Sequence, residues 1–285
     1  MKIGVVIYGG LGDQLLANRF VPSILEAYDI DKVDIVRPYI KTPEEHSDIT
    51  FLKFIKNSFY KFYNEINFCK KTNINSLPFD AQCSTAVSDF EGFEKYDKVY
   101  NLVPDNLYFL KYNELPINKY YNIFPKPHLK ISEFGERDYI FFHPIARSNQ
   151  HEFHKLPVQY SKEIVRVVGK QYRLICPVSK DNVFLKRYCN EINLEYYECG
   201  LEDMWSFAKN CKAAICCDSG PKYFPMHFDK QVLIITGIMN DDFLKRWLLT
   251  RKNVTPINTN PNTILEAIDK LSNNLDNRIK FNYHQ

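Results

Sequence analysis

Short apolar runs, each cut off by Gly, Pro or Asp and each followed by a stretch of helical spacing, recur along this chain and constrain its fold more than any other feature. Residues 3–7 are β-branched at every position but Gly4, and the run stops at Gly9-Gly10. A run that is apolar without alternation fits a strand buried on both faces of a parallel sheet. Over 14–28, Leu15, Leu16, Phe20, Ile24 and Leu25 fall on one side of a helix. Strand, glycine turn and helix open a βαβ unit. A strand over 33–36, a helix over 50–63 and a strand over 98–103 come next, while 64–96 and 104–135 give no readable pattern. From Tyr139 the alternation is regular. Strands are expected at 139–142, 173–176, 195–197, 213–217 and 232–236. Helices are expected at 158–168, 181–190, 202–209, after Pro221, and at 262–274.

At 285 residues the chain exceeds one comfortable core, since single cores stop growing at roughly 250–300 residues. The stretch from Pro125 to Gly135, rich in Pro and charge, is the expected linker. The expected organisation is therefore a Rossmann-like domain over 1–130 and a second Rossmann-like domain over 136–261. A C-terminal helix and tail, 262–285, can pack back on the first domain. Hydrophobic residues at 45% and charged residues at 25% exclude a disordered or fibrous chain. The net charge of +3 and the lack of a long basic run exclude a nucleic-acid footprint. The aromatic-rich 54–68 stretch reads as a helix with an aromatic core face and a solvated Lys/Asn face; the alternative is an acceptor or membrane-surface patch. Eight cysteines without a Cys-x-x-Cys pair read as reduced and buried. The apolar start is too short for a signal peptide or a membrane span. The expected setting is cytoplasmic or at the inner face of a membrane, with at most peripheral contact.

Three clusters could carry chemistry. The first is Gly9-Gly10-Leu11-Gly12-Asp13, where a strand meets a helix and ligands of open α/β sheets sit. A dinucleotide fingerprint does not fit it, because position 15 is Leu and the expected second strand is followed by Arg37 instead of an acidic residue, and no Walker lysine follows Gly12. Asp13 is either a helix cap or a carboxylate placed where substrate lies. The second cluster is Asp218-Ser219-Gly220-Pro221-Lys222, after an apolar run. Its N–H groups at Ser219 and Gly220 suit a diphosphate held without metal, and the same residues suit a plain helix cap equally well. The third is His143-Pro144 with Arg147, and Lys155-Leu156-Pro157, whose cations could clamp phosphate oxygens. His151 and His154 lack acidic or Cys partners for zinc. Asp29-Ile30-Asp31 reads as turn chemistry rather than a metal motif.

In this order the clusters resemble the ADP-heptose:lipopolysaccharide heptosyltransferase family, a group of GT-B glycosyltransferases. The likeness rests on Gly-Gly-Leu-Gly-Asp13, on His143-Pro with Arg147 and Lys155-Leu-Pro157, and on Asp218-Ser-Gly220. The resemblance implies a GT-B fold, two doubly wound parallel-sheet domains facing a cleft, with 1–130 as the acceptor-side domain and 136–261 as the nucleotide-sugar-binding domain. It implies an inverting, metal-independent transfer from a nucleoside diphosphate-sugar to a glycan or lipopolysaccharide-like acceptor. It makes Asp13 the general base, with Gly10 and Gly12 in the cleft loop. Lys155, Arg147, Ser219 and Gly220 would hold the donor diphosphate, Asp218 would order that loop, and Asp181 is a candidate for the donor ribose. The sequence departs from the family at Ile145, at Val178 and at Tyr223, where the family has His. Two rivals stand beside this reading: a nucleotide-sugar epimerase of the same architecture, and a non-catalytic GT-B-like binding protein.

Overall fold

The structure, a computed structural model, describes residues 1–7, 9–39, 49–70, 91–102, 124–132, 134–135, 139–145, 156–235 and 254–257. The chain divides into two units, Met1–Lys130 and Ile131–Gln285, each with its own parallel sheet.

In the first unit β1 (Ile3–Val6), β2 (Val33–Tyr39), β3 (Tyr63–Lys70) and β4 (Lys98–Asn101) lie in the order β3-β2-β1-β4. Every pairing is parallel. Central β1 is buried along its whole length, which is why its sequence does not alternate. The one helix expected over 14–28 is two, α1 (Leu11–Asn18) and α2 (Val21–Tyr28). Pro22 causes the break. It has no N–H to donate and its ring clashes with the carbonyl four residues earlier, at Asn18, where α1 ends; in the first turn of α2 the ring does no harm.

The helix expected over 50–63 also ends early. It is α3 (Ile49–Ser58), and Tyr63 instead opens β3. The 54–68 stretch is therefore helix end, turn and edge strand, not one aromatic helix. Within β3 only Tyr63 and Cys69 are buried, so the run carries no clean period of two. The Tyr63 hydroxyl donates to Asn18 Oδ1 at 2.6 Å, tying the edge strand to the end of α1. Burial holds that phenol well above its ordinary pKa.

The described residues of 124–135 form no helix or strand, as their prolines dictate. Each half is held by its own unit. The His128 N–H donates to Ser58 O at 2.7 Å, its Nδ1 accepts the Lys61 N–H at 3.2 Å, and its ring meets Phe62 edge-on at 4.6 Å. Further along, Ser132 O accepts the Ser206 hydroxyl at 2.6 Å and Phe134 packs on Phe207 at 4.2 Å.

The second unit has β5 (Tyr139–His143), β6 (Arg173–Ser179), β7 (Glu195–Cys199), β8 (Ala213–Cys217), β9 (Gln231–Ile235) and β10 (Val254–Ile257). They form one parallel sheet in the order β10-β9-β8-β5-β6-β7. Counted from its own first strand, this is the order of the dinucleotide-binding fold. Strand β10 has no counterpart among the expected elements. Pro256 lies within it, and an edge is where a sheet tolerates proline.

Helices α4 (Val158–Val168) and α5 (Val183–Glu191) bury Ile164, Val168, Leu185 and Cys189 against Ile140, Phe142, Cys176 and Ile215 of the sheet. Alternation along β5 sends Tyr139 to the opposite face, where its hydroxyl donates to Phe207 O of α6 (Asp203–Asn210) at 2.6 Å. Helices therefore cover both faces. Cys69, Cys176, Cys189, Cys199, Cys211, Cys216 and Cys217 are free and buried, as expected for reduced thiols; Cys83 lies outside the described residues. Among the described residues no helix is long and apolar enough to cross a membrane. The expected C-terminal segment, 262–285, lies outside them.

Candidate functional site

In both sheets the strand order reverses beside the first strand, between β1 and β4 in one unit and between β5 and β8 in the other. All strands are parallel, so their carboxyl ends share one edge. The connections on either side of a reversal leave in opposite directions and open a crevice there. The loops after β1, β5 and β8 are the ones that carry the sequence clusters.

After β1 the chain turns at Gly9, whose φ of +96° is costly for any residue with a side chain. A Cβ at Gly9 would also lie 2.9 Å from Asp13 Oδ2. Gly10 takes the N-cap position of α1, and Gly12 and Asp13 come in its first turn. The Gly10 N–H donates to Asp13 Oδ2 at 3.0 Å, and Gln14 Nε2 donates to Gly9 O at 2.9 Å. Asp13 thus fastens the turn and satisfies a helix-end N–H, as a cap would. It remains exposed, and a carboxylate with two oxygens keeps acceptor capacity beyond one bond. Both sequence readings of Asp13, a helix cap and a carboxylate placed where substrate lies, are compatible with this geometry.

After β8 the loop is of another kind. Asp218 and Ser219 are buried and Gly220 is half-buried. The helix expected after Pro221 is cut short, to a 3-10 turn, Gly220–Lys222, and then α7 (Tyr223–Met226). A four-residue helix carries little macrodipole, so any anion held here would rely on individual N–H groups. Gly220 opens the turn, and the first N–H groups of a helical turn have no acceptor within it. The Cys217 thiol lies 3.3 Å from Ser219 Oγ, and burial pushes that thiol up to about 12, leaving it unreactive.

The residue that sequence reasoning passed over is Lys222. It is only 6% exposed, and its Nζ pairs with the equally buried Asp218 carboxylate. The same Nζ sits 4.5 Å from the centre of the Tyr223 ring. Burial works to lower the Lys222 pKa, but Tyr223 and Asp218 outweigh it and hold the ammonium above its ordinary value. A signal existed: Asp218 and Lys222 stand four residues apart, the spacing at which helical side chains meet.

His143 ends β5 in register with Cys216 of β8, at the reversal itself. Burial pushes its pKa down to about 4, the Ile145 backbone offsetting part of this, so near neutrality the imidazole is uncharged and is no phosphate clamp. Arg147 and Lys155 lie outside the described residues. The residues that bracket them return to the end of β5: Ile145 and Leu156 are buried, and the Leu156 N–H donates to Pro144 O at 3.0 Å. Asp181 comes after β6, exposed, in the turn before α5. His151 and His154 are outside the described residues, and among those described no three His, Cys, Asp or Glu gather as a metal site. Asp29, with φ of 50°, ends α2 as a left-handed cap, the turn role expected of it.

No protein-family model matches the sequence, and no curated protein matches it. Solved structures do match in shape. The E. coli ADP-heptose lps heptosyltransferase II superposes with a TM-score of 0.56 at 15% identity, over 95% of this chain and 98% of that one. A glycosyl transferase family 9 protein from Veillonella parvula gives 0.59 at 12% identity, over 90% and 85%. The E. coli heptosyltransferase WaaC with ADP-2-deoxy-2-fluoro heptose gives 0.53 at 11% identity, over 95% and 99%. Identities this low speak for shape alone. The chain therefore has the α/β fold of the GT-B glycosyltransferases, two Rossmann-like units each on its own parallel sheet.

Proposed function

We propose that the protein is a glycosyltransferase, moving a sugar from a nucleoside diphosphate donor to a hydroxyl of a glycan or glycolipid acceptor. The observation that carries this reading is the Asp218-Ser219-Gly220 loop at the reversal point of a sheet in dinucleotide-binding order. Fold alone does not fix function, so the reading rests on that loop together with the sequence likeness around Asp13 and Lys155. An inverting transfer needs a base for the incoming hydroxyl and stabilisation of the departing diphosphate. Asp13 is the proposed base. Ser219 and Gly220 offer main-chain N–H groups to the diphosphate, and Arg147 and Lys155 supply positive charge. Asp181 is the proposed ribose contact. The proposed setting is cytoplasmic, at or near a membrane face.

No metal has a role in this scheme, so turnover should persist in excess chelator; complete loss, restored by a divalent cation, would remove that part. The cap bond from Gly10 to Asp13 favours a second reading, a GT-B-like binding protein in which Asp13 is purely structural. Incubating the protein with labelled nucleoside diphosphate-sugars separates the possibilities. A transferase hydrolyses its donor slowly without acceptor and leaves the sugar's configuration at other carbons unchanged. An epimerase returns an altered sugar, and a binding protein returns the donor intact.

A further inference from the structure

The Asp218–Lys222 pair is costly to build, since two buried ions lose their hydration, and their mutual attraction repays only part of it. Its place gives it a use. Asp218 immediately precedes the main-chain N–H groups of Ser219 and Gly220, at the carboxyl end of β8. Left alone, a buried carboxylate there would repel any anion approaching those groups, and low-dielectric surroundings would strengthen the repulsion. Lys222 cancels that charge from within. It is buried, with its Nζ on Asp218 and against the Tyr223 ring.

Resting on the donor-site reading above, we propose that Lys222 is a positioning residue for donor binding: by neutralising Asp218 it makes the Ser219-Gly220 loop receptive to a diphosphate, without touching the ligand. Two features set this apart from a purely structural ion pair. The effect must grow with the charge of the ligand, and it must vanish when Asp218 is neutral.

The test measures, by calorimetry on the full chain, affinity for whichever of ADP, UDP, GDP and CDP binds the unmodified protein, and for the matching monophosphate. Lys222→Met should weaken diphosphate binding by roughly 10- to 100-fold, and weaken the monophosphate less. The double variant Asp218→Asn/Lys222→Met should bind the diphosphate more tightly than Lys222→Met does. Equal losses for both ligands would mark general damage to the fold and overturn the proposal. So would unchanged diphosphate binding by Lys222→Met. If that single variant does not fold, the double variant decides alone: a loss larger for the diphosphate than for the monophosphate would show Lys222 acting on the ligand directly, against the proposal. Binding of none of the four diphosphates by the unmodified protein would instead remove the donor-site reading itself, and this inference with it.

Discussion

The loop after β1 and the loop after β8 each flank the reversal point of their own sheet, and each carries one carboxylate, yet the two carboxylates meet opposite fates. Asp13 is exposed and gives one oxygen to its own helix end. Asp218 is buried and answered by Lys222. A group that must exchange protons with a substrate hydroxyl has to be reachable, whereas a group beside a phosphate site has to be silent. The difference in burial fits the base chemistry proposed for the first loop and the anion binding proposed for the second.

That assignment breaks most readily at Asp13. Asparagine keeps an oxygen for the Gly10 N–H, so the cap survives in Asp13→Asn, but the proton acceptor is lost. Transfer should fall by about 10²–10⁴-fold with nucleotide affinity and unfolding midpoint unchanged, as single-turnover assays and calorimetry would register. Near-normal turnover would make the two loops alike in being structural. For the buried loop, Lys222→Met should cost about 3–5 kcal/mol of stability in urea unfolding, because it strands Asp218 without its partner. Asp218→Asn/Lys222→Met should regain most of that. A cost below about 1 kcal/mol, the range of surface pairs, would contradict the burial of the pair.

A pH dependence sharpens the same contrast. His143 beside the second loop has its pKa lowered by burial from 6.5 to about 4. A folded-state pKa below the unfolded one favours the folded state above pH 6.5 and loses that contribution as pH falls toward 4. The loss amounts to about 3 kcal/mol. His143→Gln should flatten the stability profile over that window, and an unchanged slope would show that the imidazole is solvated. The smallest effect is expected at Gly9→Ala, about 1–3 kcal/mol from the positive φ and the contact with Asp13. Thermal unfolding would measure it, and a neutral result would mean that the turn can relax.

The two loops also differ in how far they could be read from residues alone. Strands β1, β5 and β8 were legible because burial on both faces makes them continuously apolar, and the turns that end them then mark the sheet edge. Strand β3 was not, because an edge strand with Asn64, Glu65 and Phe68 exposed lacks that signature. Pro22 split a helix whose apolar spacing runs on unbroken through Phe20 and Ile24. Asp13 was found from its place after a glycine turn, a local property. Lys222 was missed because a lysine early in a helix reads as solvated, and only tertiary packing shows that Asp218 and Tyr223 enclose it. Gly220 fell where a helix start was expected, but the brevity of α7 depends on packing that the chain does not advertise locally.

Thermal unfolding of the unmodified protein with ADP, UDP, GDP or CDP in turn probes the donor site directly. A ligand that binds only the folded state adds about 2.7 kcal/mol at a hundred times its Kd. At least one diphosphate at millimolar concentration should raise Tm clearly, and more than the matching nucleoside does. Four unmoved melting curves would contradict a nucleoside diphosphate site in this fold.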